Sequence, residues 1–252
     1  MDEKIQFLRK KLIELTSIGL YALKTGTEVE DMNFEEIQFL REISKDIVPL
    51  YVKIGGPEAR NDIRFLLSIG VDCIIAPMIE SPYALKNFIK TIKELQEQHE
   101  RTCKAGINIE TITGYMQLNG ILNSEYIKDI HQITAARTDL SGSLELHPDD
   151  QRVIEICKEI ILNTKKKNIT TSLGGAIHPK IISVLVQEIP SDFINTRHLI
   201  IKREALLKNS SAILARHLEF ELFLYELLSS TKDPIRKKIH QKRYNILKER
   251  LS

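Results

Sequence analysis

The stretch of sequence that decides the fold opens with Lys104-Ala105-Gly106-Ile107-Asn108-Ile109-Glu110-Thr111 and closes with Ile133-Thr134-Ala135-Ala136-Arg137-Thr138-Asp139-Leu140-Ser141. Each segment has the pattern of a short buried strand that ends in an acidic residue, Glu110 in the first and Asp139 in the second. An apolar run with a carboxylate at its C-terminal end is typical of the catalytic face of a parallel α/β barrel. Residues 112–123 are long enough for one helix, so the stretch predicts a strand–helix–strand unit.

The two carboxylates at these strand ends are candidate metal ligands. Because neighbouring parallel strands lie about 4.8 Å apart, Glu110 and Asp139 can meet at one hard divalent cation. Oxygen ligands and incomplete coordination by protein favour Mg²⁺ or Mn²⁺. The same spacing is compatible with a structural role, in which Glu110 caps the next helix and Asp139 opens a turn.

Seven strand patterns alternate with helical ones along the first 202 residues, which predicts βαβ units and a parallel sheet. The length of 252 residues is close to the roughly 250 of a (β/α)₈ barrel. We therefore expect an α/β fold, a (β/α)₈ TIM-type barrel with extra C-terminal helices. Residues 192–201 read as the seventh strand, an eighth is not evident, and a doubly wound open sheet is the alternative. Asn33, followed three residues later by Glu36, predicts a capping box at the start of one helix.

Composition and cysteine usage indicate a cytoplasmic globular protein. The chain is 42% hydrophobic and 28% charged, which is ordinary for a soluble domain. Its three cysteines, Cys73, Cys103 and Cys157, form no CxxC pair, which argues against a disulfide framework or a zinc site and suits a reducing compartment. The N-terminus lacks the apolar core of a signal peptide, and no apolar run approaches membrane-spanning length, so we expect no membrane contact.

The last fifty residues have a different character, so we divide the chain into a barrel (1–202) and a helical extension (203–252). Apolar residues between 206 and 228 cover more than one face of a helix, and such a helix needs a cover other than water. The cover is either the wall of the barrel or a neighbouring subunit, and the second possibility predicts a homo-oligomer.

The end of the chain is also basic. From Thr231 onward, eight Lys or Arg face two acidic residues, a balance of +6 that leaves −4 for the preceding 230 residues of a chain whose net charge is +2. A basic helix on an acidic body is compatible with contact to nucleic acid, an anionic membrane or another subunit. It is more often a solvated helix face, and we do not expect a nucleic-acid partner.

Three motifs together resemble the citrate lyase beta-subunit and class II 2-keto-acid aldolase family of the phosphoenolpyruvate/pyruvate superfamily. They are Ala76-Pro77-Met78-Ile79-Glu80-Ser81, Ile109-Glu110-Thr111 and Thr138-Asp139-Leu140-Ser141, in matching order and separation over roughly residues 48–143. The resemblance implies a (β/α)₈ barrel, a divalent metal held by Glu110 and Asp139, and carbon–carbon bond chemistry beside a 2-keto acid or acyl-CoA. It also makes Met78, Glu80 and Ser81 candidate substrate-binding residues.

The sequence departs from this family at one position. Where the family has an arginine that holds the substrate carboxylate and the developing enolate, this chain has Lys53, which keeps the charge but lacks the planar fork. Lys24, at the end of the first strand, is a candidate second cation. Backbone N–H groups near two glycine pairs, Gly55-Gly56 and Gly174-Gly175, can hold the remaining anionic groups. His178 is a candidate proton carrier or a structural histidine.

Three functions therefore compete at this point. The first is a Mg²⁺- or Mn²⁺-dependent carbon–carbon lyase or aldolase that acts on a small anionic 2-keto acid through an enolate. The second is an acyl-CoA lyase or thioesterase of the same superfamily, with the basic tail near the nucleotide phosphates. The third is a non-catalytic barrel that serves as a binding or assembly subunit, in which Lys53 marks a lost site.

Overall fold

The computed structural model describes residues 2–251 and contains a closed barrel in which the strands are neighbours in chain order. Within these residues there are eight strands: β1 Leu20–Gly26, β2 Leu50–Lys53, β3 Cys73–Ala76, β4 Lys104–Ile109, β5 Ile130–Ala136, β6 Thr170–Gly174, β7 Phe193–Asn195 and β8 Leu199–Lys202. Closure confirms the predicted α/β barrel and rules out the open doubly wound sheet.

Helices surround the barrel and follow most of its strands. Within residues 2–251 they are α1 Asp2–Thr16, α2 Phe34–Ser44, α3 Arg60–Ser68, α4 Pro82–His99, α5 Ile112–Met116, α6 Leu118–Leu122, α7 Arg137–Ser143, α8 Gln151–Lys165, α9 Ile182–Glu188, α10 Arg203–Leu206, α11 Ser210–Leu228 and α12 Pro234–Leu251, with a 3₁₀ turn over Glu125–Asp129. In this part of the chain no helix combines the length and apolarity needed to cross a bilayer.

One strand of the barrel runs against the others. Strands β1 to β7 pair in parallel, whereas β8 is antiparallel to both β7 and β1. The expectation of a single strand over residues 192–201 is therefore wrong, because the chain turns back at residues 196–198 and the eighth strand is the second half of that segment. A three-residue connection suits antiparallel strands, while parallel strands need a crossover of about a dozen residues or more.

Two further segments differ from the sequence-based expectation. The region over 112–123 forms two short helices, α5 and α6, that meet at Gln117. The polar run Ser141-Gly142-Ser143-Leu144 predicts a loop, but residues 141–143 belong to α7, where the Ser141 and Ser143 hydroxyls donate to the carbonyls of Thr138 and Leu140 at 2.8 and 2.7 Å. The predicted capping box is present at Asn33 and Glu36 at the start of α2.

Two apolar clusters form the core of the fold, one outside the strands and one inside the barrel. The larger cluster lies between the strands and the surrounding helices. A smaller cluster, Ala22, Tyr51, Cys73, Ile75 and Ile200, belongs to the barrel interior. Tyr51 lies two residues before Lys53 on β2, so it shares the inward face at a deeper level. The deep end of the barrel is thus packed with apolar and aromatic side chains.

The C-terminal helices pack on the rest of the chain. Helix α11 buries Leu214, Leu218, Phe220 and Leu224 and lies against α1, α9 and α12. Its Phe223 is 40% exposed and meets Phe7 edge to face. Association between copies through these helices stays a prediction, as does the division into 1–202 and 203–252, whose outermost residues, Met1 and Ser252, lie outside the described part of the chain.

Candidate active site

The C-terminal ends of the parallel strands surround a cavity of about 190 Å³. Its floor includes one polar side chain from each of five strands, β1, β2, β4, β5 and β7: Lys24, Lys53, Asn108, Thr134 and Asn195. The end of the barrel at which the strands finish is where barrel enzymes place their reacting groups. The fold therefore brings charged and amide groups together at the expected face.

The two candidate metal ligands, Glu110 and Asp139, line this same cavity. Glu110 follows β4 and is almost fully buried; its two oxygens accept hydrogen bonds from the Met78 N–H at 2.8 Å and from the Asn108 amide at 2.9 Å. Asp139 is in the first turn of α7. Burial raises the pKa of Glu110 above its ordinary value and the nearby Asp139 adds to this effect, while Lys53 opposes it.

The two candidate cations also line the cavity, and each has a carboxylate partner from the β1–α2 loop. The ammonium of Lys24 is 2.8 Å from Glu30, and that of Lys53 is 2.6 Å from Glu28. Although burial acts in the opposite direction, Lys24 and Lys53 hold the pKa of the Glu30 carboxyl well below its usual range. Burial likewise opposes the charge on Lys53, but Glu30, Glu110 and Glu28 together raise its pKa.

Of the two predicted glycine pairs, only Gly174-Gly175 is among the residues that line the cavity. Gly175 has φ of +84°, and a Cβ atom there would lie 2.5 Å from the Thr138 nitrogen and 2.8 Å from the Arg137 nitrogen. A side chain at this position would push away the start of α7, which carries Asp139. The tight contact between the β6 loop and α7 thus requires glycine.

The other predicted binding residues lie around the cavity rather than in its lining. The N–H of Gly55 donates to Asp62, and Ser81 caps α4 through its side chain. Met78 has φ of +53° and reaches Glu110 through its backbone, while Glu80 accepts a 2.5 Å hydrogen bond from Thr111. Gly56 has open space on its side-chain face.

The contacts of His178 bear on its two predicted roles, proton carrier and structural histidine. His178 lies 3.2 Å from Asp149, and Asp149 also pairs with the buried guanidinium of Arg137. The imidazole is therefore hydrogen-bonded to an Asp149 carboxylate that also pairs with Arg137. His178 is not among the residues that line the cavity.

Most of the cavity-lining residues that lie outside the three motifs could not be predicted from the sequence. The missed lining residues include Asn108 and Asn195 on strands, Arg197 after β7, Glu221 and Tyr225 on α11, and Arg243 and Arg250 on α12. One signal was available for Asn108, because it is a single polar residue in an apolar strand, two positions before Glu110 and so on the same face.

Helix α11 fixes the β7–β8 turn at the mouth of the cavity. The Glu221 carboxylate accepts from the Thr196 hydroxyl at 2.5 Å and from the His198 N–H at 2.6 Å. Since the Lys24 carbonyl, 3.3 Å from Nδ1 of His198, can only accept, Nδ1 donates, and Nε2 accepts from the Tyr225 hydroxyl at 2.7 Å. These contacts bind one wall of the cavity to strand β1.

The buried His198 makes stability depend on pH. Burial lowers its pKa to about 3, whereas an unfolded histidine titrates near 6.5. Between these values the unfolded chain binds more protons, so the free energy of unfolding falls as the pH falls, by at most about 1.4 kcal/mol per pH unit from this group. We expect His198→Asn to reduce the slope of the free energy of unfolding against pH, measured by urea unfolding between pH 6.5 and 5. Some slope should remain, because burial also lowers the pKa of His217, to about 4. Equal slopes in the two proteins would contradict this assignment.

Helix α12 contacts both the start of α2 and the loop before it, which carries Glu28 and Glu30. Its Arg236 pairs with Glu36 and its His240 lies 2.6 Å from the same carboxylate. One turn further on, Arg243 donates to the carbonyls of Val29, at 2.6 Å, and Glu30. The basic helix is therefore held against the acidic loop next to the cavity.

Comparison with known proteins supports the fold. No family model matches the chain, and no curated protein matches its sequence. Among solved structures, an HpcH/HpaI aldolase from Desulfitobacterium hafniense DCB-2 matches with a TM-score of 0.54 and 15% identity over 66% of this chain and 72% of that one.

Two further structures match over more of the chain. An HpcH/HpaI aldolase/citrate lyase family protein from Burkholderia cenocepacia J2315 has a TM-score of 0.57 and 12% identity over 87% of this chain and 100% of that one. The citrate synthase SbnG has a TM-score of 0.57 and 17% identity over 83% and 88%. The chain therefore has the barrel fold of HpcH/HpaI aldolase and citrate lyase family structures, which confirms at the level of the fold the resemblance that the three motifs indicated.

Proposed function

We propose that this chain is a divalent-metal-dependent lyase or aldolase that breaks or forms a carbon–carbon bond beside the carbonyl of a small 2-keto acid. The observation that carries the proposal is that Glu110, Asp139, Lys24 and Lys53 line one cavity at the C-terminal ends of the strands. Paired carboxylates and paired cations in one partly buried site suit a substrate that is anionic and develops further negative charge. The shared barrel fold of the aldolase structures adds support.

The donor set at Glu110 and Asp139 fits Mg²⁺ or Mn²⁺. Both ions prefer oxygen ligands, and Mg²⁺ is commonly held by one or two carboxylates while it keeps several waters. Among residues 2–251 no group of three or more His, Cys, Asp or Glu gathers as a metal site, so the carboxylate pair is the set to test. Hydrogen bonds from Met78 and Asn108 orient Glu110. When bound there, the ion supplies Lewis-acid stabilisation of charge on the keto oxygen.

The residues of the chain supply binding and charge balance. In the cleavage direction the C4 hydroxyl of a 4-hydroxy-2-keto acid loses its proton and the C3–C4 bond breaks. C4 becomes the carbonyl carbon of a released aldehyde, the electrons of the broken bond form the enolate of the 2-keto acid, and the enolate takes up a proton at C3. In this proposal Lys53 holds the substrate carboxylate or the developing enolate, which is supported by its ammonium pairing with a carboxylate, that of Glu28, at 2.6 Å. An incoming substrate carboxylate competes with Glu28, which is 36% exposed at its side chain and can turn to water.

A CoA thioester is the second candidate substrate. The observation that favours it is that the basic helix α12 borders the cavity through Arg243 and Arg250. Guanidinium groups bind phosphates well, so the nucleotide of CoA would find cations at the mouth. In this case the chain would be an acyl-CoA lyase or thioesterase.

The test is exchange of the pyruvate methyl protons for deuterium, followed by NMR. We expect saturable exchange that requires Mn²⁺ or Mg²⁺ and stops with EDTA. An exposed-site variant, Glu97→Gln on α4, serves as the control and should exchange at the wild-type rate. If the wild type shows no exchange in millimolar Mn²⁺ but is stabilised against heat by CoA, the second candidate replaces the first. A chain with neither response would be a binding or assembly subunit.

A further inference from the structure

A single loop supplies the carboxylate partners of both lysines in the cavity. The β1–α2 loop spans residues 27–33, between the end of β1 and the start of α2. Its Glu28 carboxylate lies 2.6 Å from the ammonium of Lys53, and its Glu30 carboxylate lies 2.8 Å from that of Lys24. Both lysines line the cavity, so the chain itself neutralises the two cations that an anionic substrate would use.

Three arginines from later parts of the chain fix the backbone of this loop. The carbonyl groups of residues 29–31 all accept hydrogen bonds from guanidinium groups. Arg243 on α12 donates to the first, at 2.6 Å, and to the second, while Arg197 of the β7–β8 turn also donates to the first, at 3.3 Å. Arg236 on α12 donates to the third. Because consecutive carbonyls are held, the loop moves away from the cavity only if α12 releases it.

The two carboxylates of the loop differ in how easily they can leave their lysines. Glu30 is 4% exposed, so it reaches water only if the loop itself moves. The Glu28 side chain is 36% exposed and can turn to water by a side-chain rotation. This rotation leaves the charge of Lys53 buried and unpaired, which favours its pairing with another anion. Glu28 is therefore exchangeable, whereas Glu30 is a fixed partner of Lys24.

We infer that the β1–α2 loop and helix α12 form an autoinhibitory contact, in which Glu28 competes with substrate for Lys53 and α12 sets the strength of the competition. A carboxylate on a fixed loop has a high effective concentration at its partner. A carboxylate from solution meets Lys53 only in the fraction of molecules in which Glu28 has turned away, so its apparent affinity is reduced by that fraction. Any change that loosens the hold of α12 on the loop then raises the affinity for substrate. The inference rests on the proposed function for the identity of that substrate, a 2-keto acid.

Pyruvate binding to Glu28→Gln tests the competition. Affinity is measured by isothermal titration calorimetry in the presence of Mn²⁺ and at constant ionic strength. Glu28→Gln keeps the size of the side chain and removes the charge that pairs with Lys53, so we expect it to bind pyruvate about threefold or more tightly than the wild type. The control is Glu35→Gln, which makes the same charge change at an exposed position in the first turn of α2 and should match the wild type.

Arg236→Met tests the role of α12. Arg236 is not among the residues that line the cavity, and it holds the Asp31 carbonyl and pairs with Glu36. Loss of a nearby positive charge by itself weakens the binding of an anion, so tighter binding has the sign opposite to that of the simple charge effect. We expect Arg236→Met to bind pyruvate about twofold or more tightly than the wild type. Lys238→Met, an equal charge change at an exposed position of α12, should bind it no more tightly. In a Glu28→Gln background the gain from Arg236→Met should disappear, because the competitor is already gone.

The outcomes separate this inference from the proposed function. A Glu28→Gln protein that binds pyruvate no more tightly than Glu35→Gln does, whether weakly or not at all, overturns the competition. An Arg236→Met protein that weakens binding as Lys238→Met does, or that tightens it equally in the Glu28→Gln background, overturns the role of α12. Arg236→Gln gives the same test if Arg236→Met does not fold. If the affinities change as expected but pyruvate protons do not exchange, the autoinhibitory contact stands and the proposed reaction falls. If protons exchange in a wild type whose affinity for pyruvate equals that of Glu28→Gln, the proposed reaction stands and the autoinhibitory contact falls.

Discussion

The Glu110→Gln protein should lose its response to Mn²⁺ and at least about a thousandfold in pyruvate proton exchange. The substitution keeps the shape of the side chain and an oxygen that can accept from the Met78 N–H, but it removes the charge that binds a divalent cation. A ligand present at a hundred times its dissociation constant stabilises a protein by about 2.7 kcal/mol. The wild type should show a stabilisation of this order in excess Mn²⁺, and the variant none.

In the absence of metal, the Glu110→Gln protein should be at least as stable as the wild type. Glu110 is buried near Asp139, and both its burial and that neighbour disfavour its charged form. A neutral amide avoids this cost, so metal-free Glu110→Gln should melt at or above the wild-type temperature. Asp139→Asn should also abolish the Mn²⁺ response, while Glu97→Gln should keep it. A wild type that is indifferent to millimolar Mn²⁺, or a Glu110→Gln protein that still responds, would return Glu110 and Asp139 to the structural roles of cap and turn.

Replacing Lys53 by Met should lower kcat/KM for the keto acid by about a hundredfold or more. Removal of a single preorganised charge or donor at a developing oxyanion typically costs a factor of 10² to 10³. Lys53 is 5% exposed, so water screens its charge little. Met retains most of the aliphatic stem, so the change removes the charge with little loss of packing.

The cost in stability should be smaller than the cost in activity. Glu28 loses its partner but is accessible to water, whereas the buried Glu30 keeps its bond to Lys24. We expect a loss of about 1–2 kcal/mol by urea unfolding. Lys53→Arg, which keeps the charge, should retain more activity than Lys53→Met. An unchanged affinity of Lys53→Met for a keto-acid analogue such as oxalate would show that the lysine does not bind substrate.

The barrel could be predicted from sequence because seven apolar strands and their helices follow one another in a regular rhythm. The reversed strand could not, since the β7–β8 turn uses Thr196, Arg197 and His198 instead of Gly, Pro or Asn-Gly, the usual turn residues. Without such a signal, the apolar residues on both sides read as one strand. Where the turn residues are held by Glu221 and Tyr225, tertiary contacts replace local turn preference.

Some residues of the candidate site could likewise be predicted from the sequence, and others could not. Glu110, Asp139 and Lys53 could be identified because each stands at a strand end or within a motif of defined spacing. The basic residues that α12 places near the cavity could not be predicted, because Arg243 contacts Val29 and Arg236 contacts Glu36 across about 200 residues of sequence. The apolar pattern of α11 predicts that it is buried but not what it covers.

The antiparallel strand that closes the barrel also determines how long β1 waits for its second neighbour during synthesis. Leu20 on β1 pairs with Ile201 on β8, so the first strand finds its second neighbour only after about 180 further residues have been made. At synthesis rates of about 5–20 residues per second this interval is on the order of 10–40 s. During that time one edge of β1 is unpaired, and exposed strand edges are templates for aggregation. Contacts this distant in sequence also slow folding. The β7–β8 hairpin is therefore the last part of the sheet to be synthesised, and its pairing with β1 covers the unpaired edge of the nascent chain.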